Sequence, residues 1–170
     1  MLGAAGGHAD YAGNEVDALA LNVAKPRWAQ LRGPTPNAEI IDATQFYLDH
    51  RPSATHTYYS TQFIENLNRM MVFSSPGIGG SVFPPAPTNF PYKGDKRSFS
   101  FNLATGDWDP PDYVAQFPGT GDFTAALCVK HPITSDVYYS KNYGSGWYQW
   151  ASAANTWTRL SGVTRAPWYA

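Results

Sequence analysis

Three stretches of the chain share one pattern of apolar and polar positions, and each closes on a tryptophan. They are LALNVAKPRW (residues 19–28), SFSFNLATGDW (98–108) and YQWASAANTW (148–157). Aligned on Trp28, Trp108 and Trp157, they place Leu19, Phe99 and Tyr148 at one position and Leu21, Phe101 and Trp150 two residues further on. A period of two is the mark of a strand with one buried face. A short small or polar connection follows (22–27, 102–107, 151–156), and the tryptophan then opens another extended run. Each copy predicts a hairpin with an aromatic just past its turn.

Nothing else in the chain repeats, and the remaining segments are read from their own periodicity and turn residues. Strands are predicted over 16–23 and 28–32, ending at Gly33-Pro34. A long connection from 34 to 51 follows, in which 38–48 predicts a turn or two of helix with Ile40, Ile41, Phe46 and Leu48 available to pack. Strands at 56–64 and 70–74 flank a turn at 65–69. A Pro- and Gly-rich insertion at 75–95 then reads as a long surface loop. The last stretch predicts four short strands in succession: one ending at residue 129, then 137–140, 147–151 and 156–160.

Composition narrows the class. Gly and Pro supply 15 and 14 residues, aromatics are 15% and charged residues only 15%, which favours an all-β domain with many loops. A length of 170 residues suits a single domain with a real core. The 12 basic and 13 acidic residues are scattered without blocks, which argues against a nucleic-acid partner. No apolar run approaches the ~20 residues of a membrane span, and MLGAAGGHAD carries no export signal, so a soluble chain is expected with its compartment left open. Cys128 is the sole cysteine, excluding an intrachain disulfide, and reads as a small buried hydrophobe.

Gly6-Gly7, followed by the hairpins ALALNVAKPRW, SFSFNLATGDW and QWASAANTW, resembles the kelch repeats of galactose-oxidase-like β-propellers. The run GGHADYAGNEVDAL, with HTYYSTQFIENLNRMMVF, is similar to kelch-like proteins of environmental bacteria and their phages. Only the first unit has the double glycine. In the third, SKNYGSGW (140–147) resembles instead the Asp box of sialidase-like propellers, with Asn142 where Asp stands in that motif. The resemblance implies an all-β, kelch-like partial propeller of about two and a half four-stranded blades, with units at 1–33, 52–112 and 122–162 and loop insertions at 34–51 and 75–95. A propeller closes with ~4 to 8 blades, because each blade face is buried only by its neighbours. The chain is therefore expected to be a fragment, or to complete its ring with copies of itself or a second chain.

A copper-radical oxidase is the enzyme such a resemblance suggests. It would need a Tyr–Cys cross-link, a second tyrosine and two histidines, whereas His8, His50, His56 and His131 are far apart in sequence. A glycosidase would need two facing carboxylates. Asp107, Asp109 and Asp112 crowd the turn DWDPPD, which reads as a solvated turn. Gly77 to Gly80 lacks the Lys-Ser/Thr of a phosphate loop. A non-enzymatic module binding a glycan or protein, or serving a virion or cell surface, is the first expectation, with no cofactor and no metal. A propeller-class enzyme with part of its site outside this chain is the alternative. Loops on a rigid scaffold are where recognition resides, and they hold His8, Asp10, Tyr11, Asn14, Phe90, Tyr92 and Tyr143, with His56 and Tyr58 added as candidate contacts. The competing reading is that these aromatics pack inside the sheets.

Overall fold

The structure, a computed structural model, describes residues 2–4, 13–41, 46–54, 60–73, 98–118, 127–140 and 145–164, with backbone alone at 2–4, 145 and 161–164. It is all-β. Eleven described strands form three antiparallel sheets in chain order, and within each sheet every strand pairs with its neighbour in sequence. The first sheet holds β1 (Leu2–Ala4), β2 (Val16–Leu19) and β3 (Trp28–Arg32). The second holds β4 (Thr61–Ile64), β5 (Arg69–Val72), β6 (Phe99–Asn102) and β7 (Asp107–Trp108). The third holds β8 (Leu127–Lys130), β9 (Val137–Ser140), β10 (Ser145–Ala151) and β11 (Thr156–Thr164). No helix among the described residues is long and apolar enough to cross a membrane.

The second sheet lies between the other two, and its strand β5 shows how. Alternation sends Met70 and Met71 to opposite faces, yet both are fully buried. Met71 joins Ile64 and Phe73 in a core with Cys128, Val137, Tyr139, Tyr148 and Trp150 of the third sheet. Met70 joins Phe101 in a smaller core with Val16 of the first sheet, and Leu103 and Trp108 pack against it. A fully buried side chain of this kind contributes about 1.5–3 kcal/mol. Gln62 Nε2 donates to the Cys128 carbonyl at 3.1 Å, and Lys130 Nζ reaches the Phe63 carbonyl at 3.0 Å as well as the Glu65 carboxylate. These bonds tie β4 to β8, the opening strands of consecutive sheets.

The predicted hairpins at 98–108 and 148–157 fold in the same register. Phe101 pairs with Trp108 and Trp150 with Trp157, each across a four-residue turn (103–106 and 152–155). The segment joining second and third sheets is fastened to the second of these hairpins. Trp157 Nε1 donates to the Ala115 carbonyl at 2.9 Å, and the Phe117 ring sits edge-on to Tyr139, Tyr148 and Trp157.

The first copy departs from the expectation. Strand β2 stops at Leu19, which pairs directly with Trp28, so the loop spans eight residues (20–27) and Leu21 stands 65% exposed. In the aligned repeat, Pro26 occupies the place of Gly106 and Asn155, whose φ angles are +69° and +50°. Proline is locked near −65°, so the four-residue turn cannot close there. The helix predicted over 38–48 is also replaced. The described part of that stretch holds a single 3₁₀ turn, Asn37–Glu39, and a bridge from Phe46 to Pro52; residues 42–45 lie outside the described residues. Pro36 and the extended Ile40 bound that turn on either side. The insertion at 75–95 and the strand residues 56–59 lie outside the described residues as well.

Candidate functional site

A cleft of about 340 Å³ opens where the first and second sheets meet, lined by Arg32, Asp49, His50, Arg51, Asp107, Trp108, Asp109, Pro110 and Pro111. Three segments supply it, and local chemistry fixes each one.

Arg32 comes from β3. Alternation from Trp28 and Gln30 would aim it away from the second sheet. The register of β2 with β3 slips between Val16 and Asp17, however, so Arg32 pairs with Val16 and shares its inward face. A bulge of this kind re-aims a side chain. Here it delivers Arg32 Nη2 to Asp107 Oδ2 at 2.9 Å.

The second segment is the tight reversal at 46–52, closed by Tyr47 N–H to the Arg51 carbonyl (2.9 Å) and His50 N–H to the Tyr47 carbonyl (3.0 Å). His50 takes a left-handed backbone there, with φ +63°, and stands exposed at the cleft's rim. Arg51 is bracketed by carboxylates: its Nε lies 3.3 Å from Asp49 Oδ2 and 3.8 Å from Asp107 Oδ1, while Nη1 donates to the Gly33 carbonyl at 3.4 Å.

Residues 107–111 form the third wall. In the turn DWDPPD, expected to be solvated, the Asp107 side chain is 42% exposed and Asp112 is exposed, whereas Asp109 is held in an ionic clamp. Asp109 accepts from Arg69 Nε at 2.7 Å and from Ser100 Oγ at 2.6 Å, and its side chain is almost fully enclosed. The Arg69 guanidinium also lies 5.3 Å from the centre of the Tyr113 ring, a cation–π distance. The difference from expectation arises because β5, forty residues earlier, brings Arg69 beside the turn. Trp108 packs edge-on against Phe101 with ring centres 5.3 Å apart. Its indole Nε1, like Arg32 Nε, is a buried donor with no acceptor among the described residues.

Of the residues expected to contact a ligand, only Asn14 is described. It is 2% exposed and lies behind the cleft. Its amide donates to Thr35 Oγ1 and to the Pro52 carbonyl, both at 2.8 Å, and its oxygen accepts the Thr35 N–H at 2.8 Å. Thr35 Oγ1 in turn donates to Asp49 Oδ2 at 2.7 Å. Asn14 is thus two hydrogen bonds removed from Asp49 in the cleft wall and braces it through Thr35. His8, Asp10, Tyr11, His56, Tyr58, Phe90, Tyr92 and Tyr143 lie outside the described residues, as do Asn142 and the Gly77–Gly80 run.

The sequence singles out Asp107 and Asp109 without their partners and does not mark Arg32, Asp49, Arg51 or Trp108 as contacts. The available signal was opposite charge at positions that only the sheet stacking brings together. Among the described residues no three His, Cys, Asp or Glu side chains gather as metal ligands would. Burial pushes the Cys128 thiol well above its ordinary value, so the thiolate is disfavoured.

The cleft therefore offers fixed donors and acceptors of balanced charge beside an apolar wall of Trp108, Pro110 and Pro111. No protein-family model, curated protein or solved structure matches the chain.

Proposed function

We propose that this chain is a kelch-like β-propeller segment serving as a non-enzymatic binding module, and that the cleft between its first and second sheets takes a neutral saccharide. The propeller reading is supported by three consecutive antiparallel meanders stacked face on face, the middle one buried on both sides. Such burial by neighbours is what holds blades together.

The observation that carries the ligand class is the lining of the cleft. Sugars are held by charge-balanced pairs that donate to and accept from adjacent hydroxyls, beside a flat apolar surface for the C–H face of the ring. Asp107 with Arg32 and Arg51 supplies the first, and Trp108 with Pro110 and Pro111 the second. A ligand oxygen reaching the floor would also satisfy the buried N–H groups of Trp108 and Arg32.

A glycan array followed by calorimetry on the captured sugar tests the reading. Binding without turnover is expected, weakened at least tenfold by Asp107→Asn and by His50→Ala. Array silence, or binding indifferent to both substitutions, would overturn the cleft assignment. Hydrolysis of the captured sugar, or stoichiometric copper with oxidase turnover, would replace the module with an enzyme.

A further inference from the structure

The stack of sheets has a direction. At the junction of first and second sheets, the face of the second that carries Phe101 and Trp108 covers the Val16 face of the first. At the next junction, the face of the third that carries Trp150 and Trp157 covers the Ile64 and Met71 face of the second. Phe101 with Trp108 and Trp150 with Trp157 are the equivalent pairs of the internal repeat. Each sheet thus turns its tryptophan hairpin toward the sheet before it and its opposite face toward the sheet after it.

Among the described residues, two faces are left uncovered. Trp28, the repeat equivalent of Trp108 and Trp157, pairs with Leu19 on the face opposite Val16 and is 60% exposed, while those two are half-buried. At the other end, alternation and register put Val129 and its partner Tyr138 on the outer face of the third sheet, where Val129 is 52% exposed. Apolar side chains of this size on a continuous sheet face mark an interaction surface. One leftover face is of the kind that covers, and the other is of the kind that is covered.

We propose that copies of this chain associate head to tail, with the Trp28 face of one copy docked on the Val129 and Tyr138 face of the next. A second copy is the occupant because it brings both halves of the pairing, in the orientation the two internal junctions already use. The contact is heterologous, so it closes into a ring if the rotation per copy permits and otherwise extends. It stands independently of the saccharide reading, since neither face forms part of the cleft.

Light scattering coupled to size exclusion over a dilution series tests this with three proteins. The unmodified chain is expected to form species larger than a monomer. Trp28→Glu and Val129→Lys should each be monomeric. Their mixture should form a one-to-one dimer, because the first keeps an intact third-sheet face and the second an intact Trp28 face. Tyr138→Lys, paired with Val129 on the same face, serves if Val129→Lys fails to give a native circular dichroism spectrum. A monomer at every concentration of the unmodified chain, full assembly of either variant, or a mixture that stays monomeric would overturn the proposal. A larger species from the unmodified chain that only Trp28→Glu disrupts would mean a symmetric contact instead, and would overturn it too.

Discussion

Gly106 and Asn155 hold the same place in two hairpins, the last position of a four-residue turn, and both take a left-handed backbone, at φ +69° and +50°. The conformation is shared but the chemistry is not. Gly106 reaches it because it has no Cβ. Asn155 tolerates it and also works as a junction. Its Oδ1 accepts from Trp150 Nε1 at 3.1 Å and from the Ala115 N–H at 3.0 Å, and its Nδ2 donates to the Tyr113 carbonyl at 2.7 Å.

Exchanging the two residue types should therefore be asymmetric. Gly106→Asn keeps an αL-tolerant residue where, among the described residues, only the Leu31 carbonyl comes near, 3.9 Å from an added Cβ, and is expected to change stability by less than about 0.5 kcal/mol. Asn155→Gly keeps the turn but strips three hydrogen bonds from the segment between the sheets, for an expected loss of about 2–3 kcal/mol. Urea midpoints of the two variants check this, and equal losses would mean that the turn conformation alone matters.

Arg69 and Asp109 form a mostly buried pair across forty residues, so removing one partner should cost more than removing both. Arg69→Met leaves the Asp109 carboxylate with Ser100 as its remaining side-chain partner and is expected to lose about 3 kcal/mol. Adding Asp109→Leu should recover a large part of that loss, since the stranded charge is then gone. Chemical denaturation of the single and double variants gives the coupling directly, and additive losses would count against the pair.

The strands and their hairpins were legible because alternation and turn residues are local signals. Trp108 and Trp157 sit where period two places them, and the turns follow from LATG and SAAN. The first copy misled through one residue: Leu21 matches the pattern, but Pro26 forbids the turn that would have paired it. The cleft was not legible, because its parts lie at 32, 49–51 and 107–111 and meet only after the sheets stack. A bulge, invisible to alternation, turns Arg32 inward. Asp109 looked solvated because nothing within ten residues of it carries the positive charge that neutralises it.

Asn14 shows how a polar loop residue near a site can be structural. All three of its hydrogen-bonding contacts are internal, and two go to Thr35, the residue that braces Asp49. Asn14→Ala is expected to cost about 2–4 kcal/mol, because the buried Thr35 N–H and Pro52 carbonyl lose their partners. If the cleft binds a sugar, the same substitution should weaken binding through Asp49 without touching the ligand. The two effects separate when affinity is measured well below the variant's melting point.

Acid should loosen the third sheet at its turns first. Desolvation raises the Asp136 carboxyl, but the Ser152 N–H, the Gln149 amide and the hydroxyls of Thr134 and Ser152 together outweigh it and hold the group below its ordinary value. A carboxyl whose folded pKa is depressed stabilises the fold fully above its unfolded value, about 3.9, and loses that contribution as pH falls through the folded one. Through Ser152 N–H at 2.9 Å and Gln149 Nε2 at 2.9 Å, Asp136 joins the β8–β9 turn to β10 and its hairpin. Asp136→Asn should therefore lower the urea midpoint at pH 7, and its gap from the unmodified chain should narrow as pH drops below about 4. Glu65 is also held low, chiefly by its hydrogen bond from Lys130, but that carboxylate is open to solvent. Glu65→Gln should leave the midpoint nearly unchanged at moderate salt, because exposed pairs are screened. A pH-independent gap for Asp136→Asn would show that the ionised form is not what the turn uses.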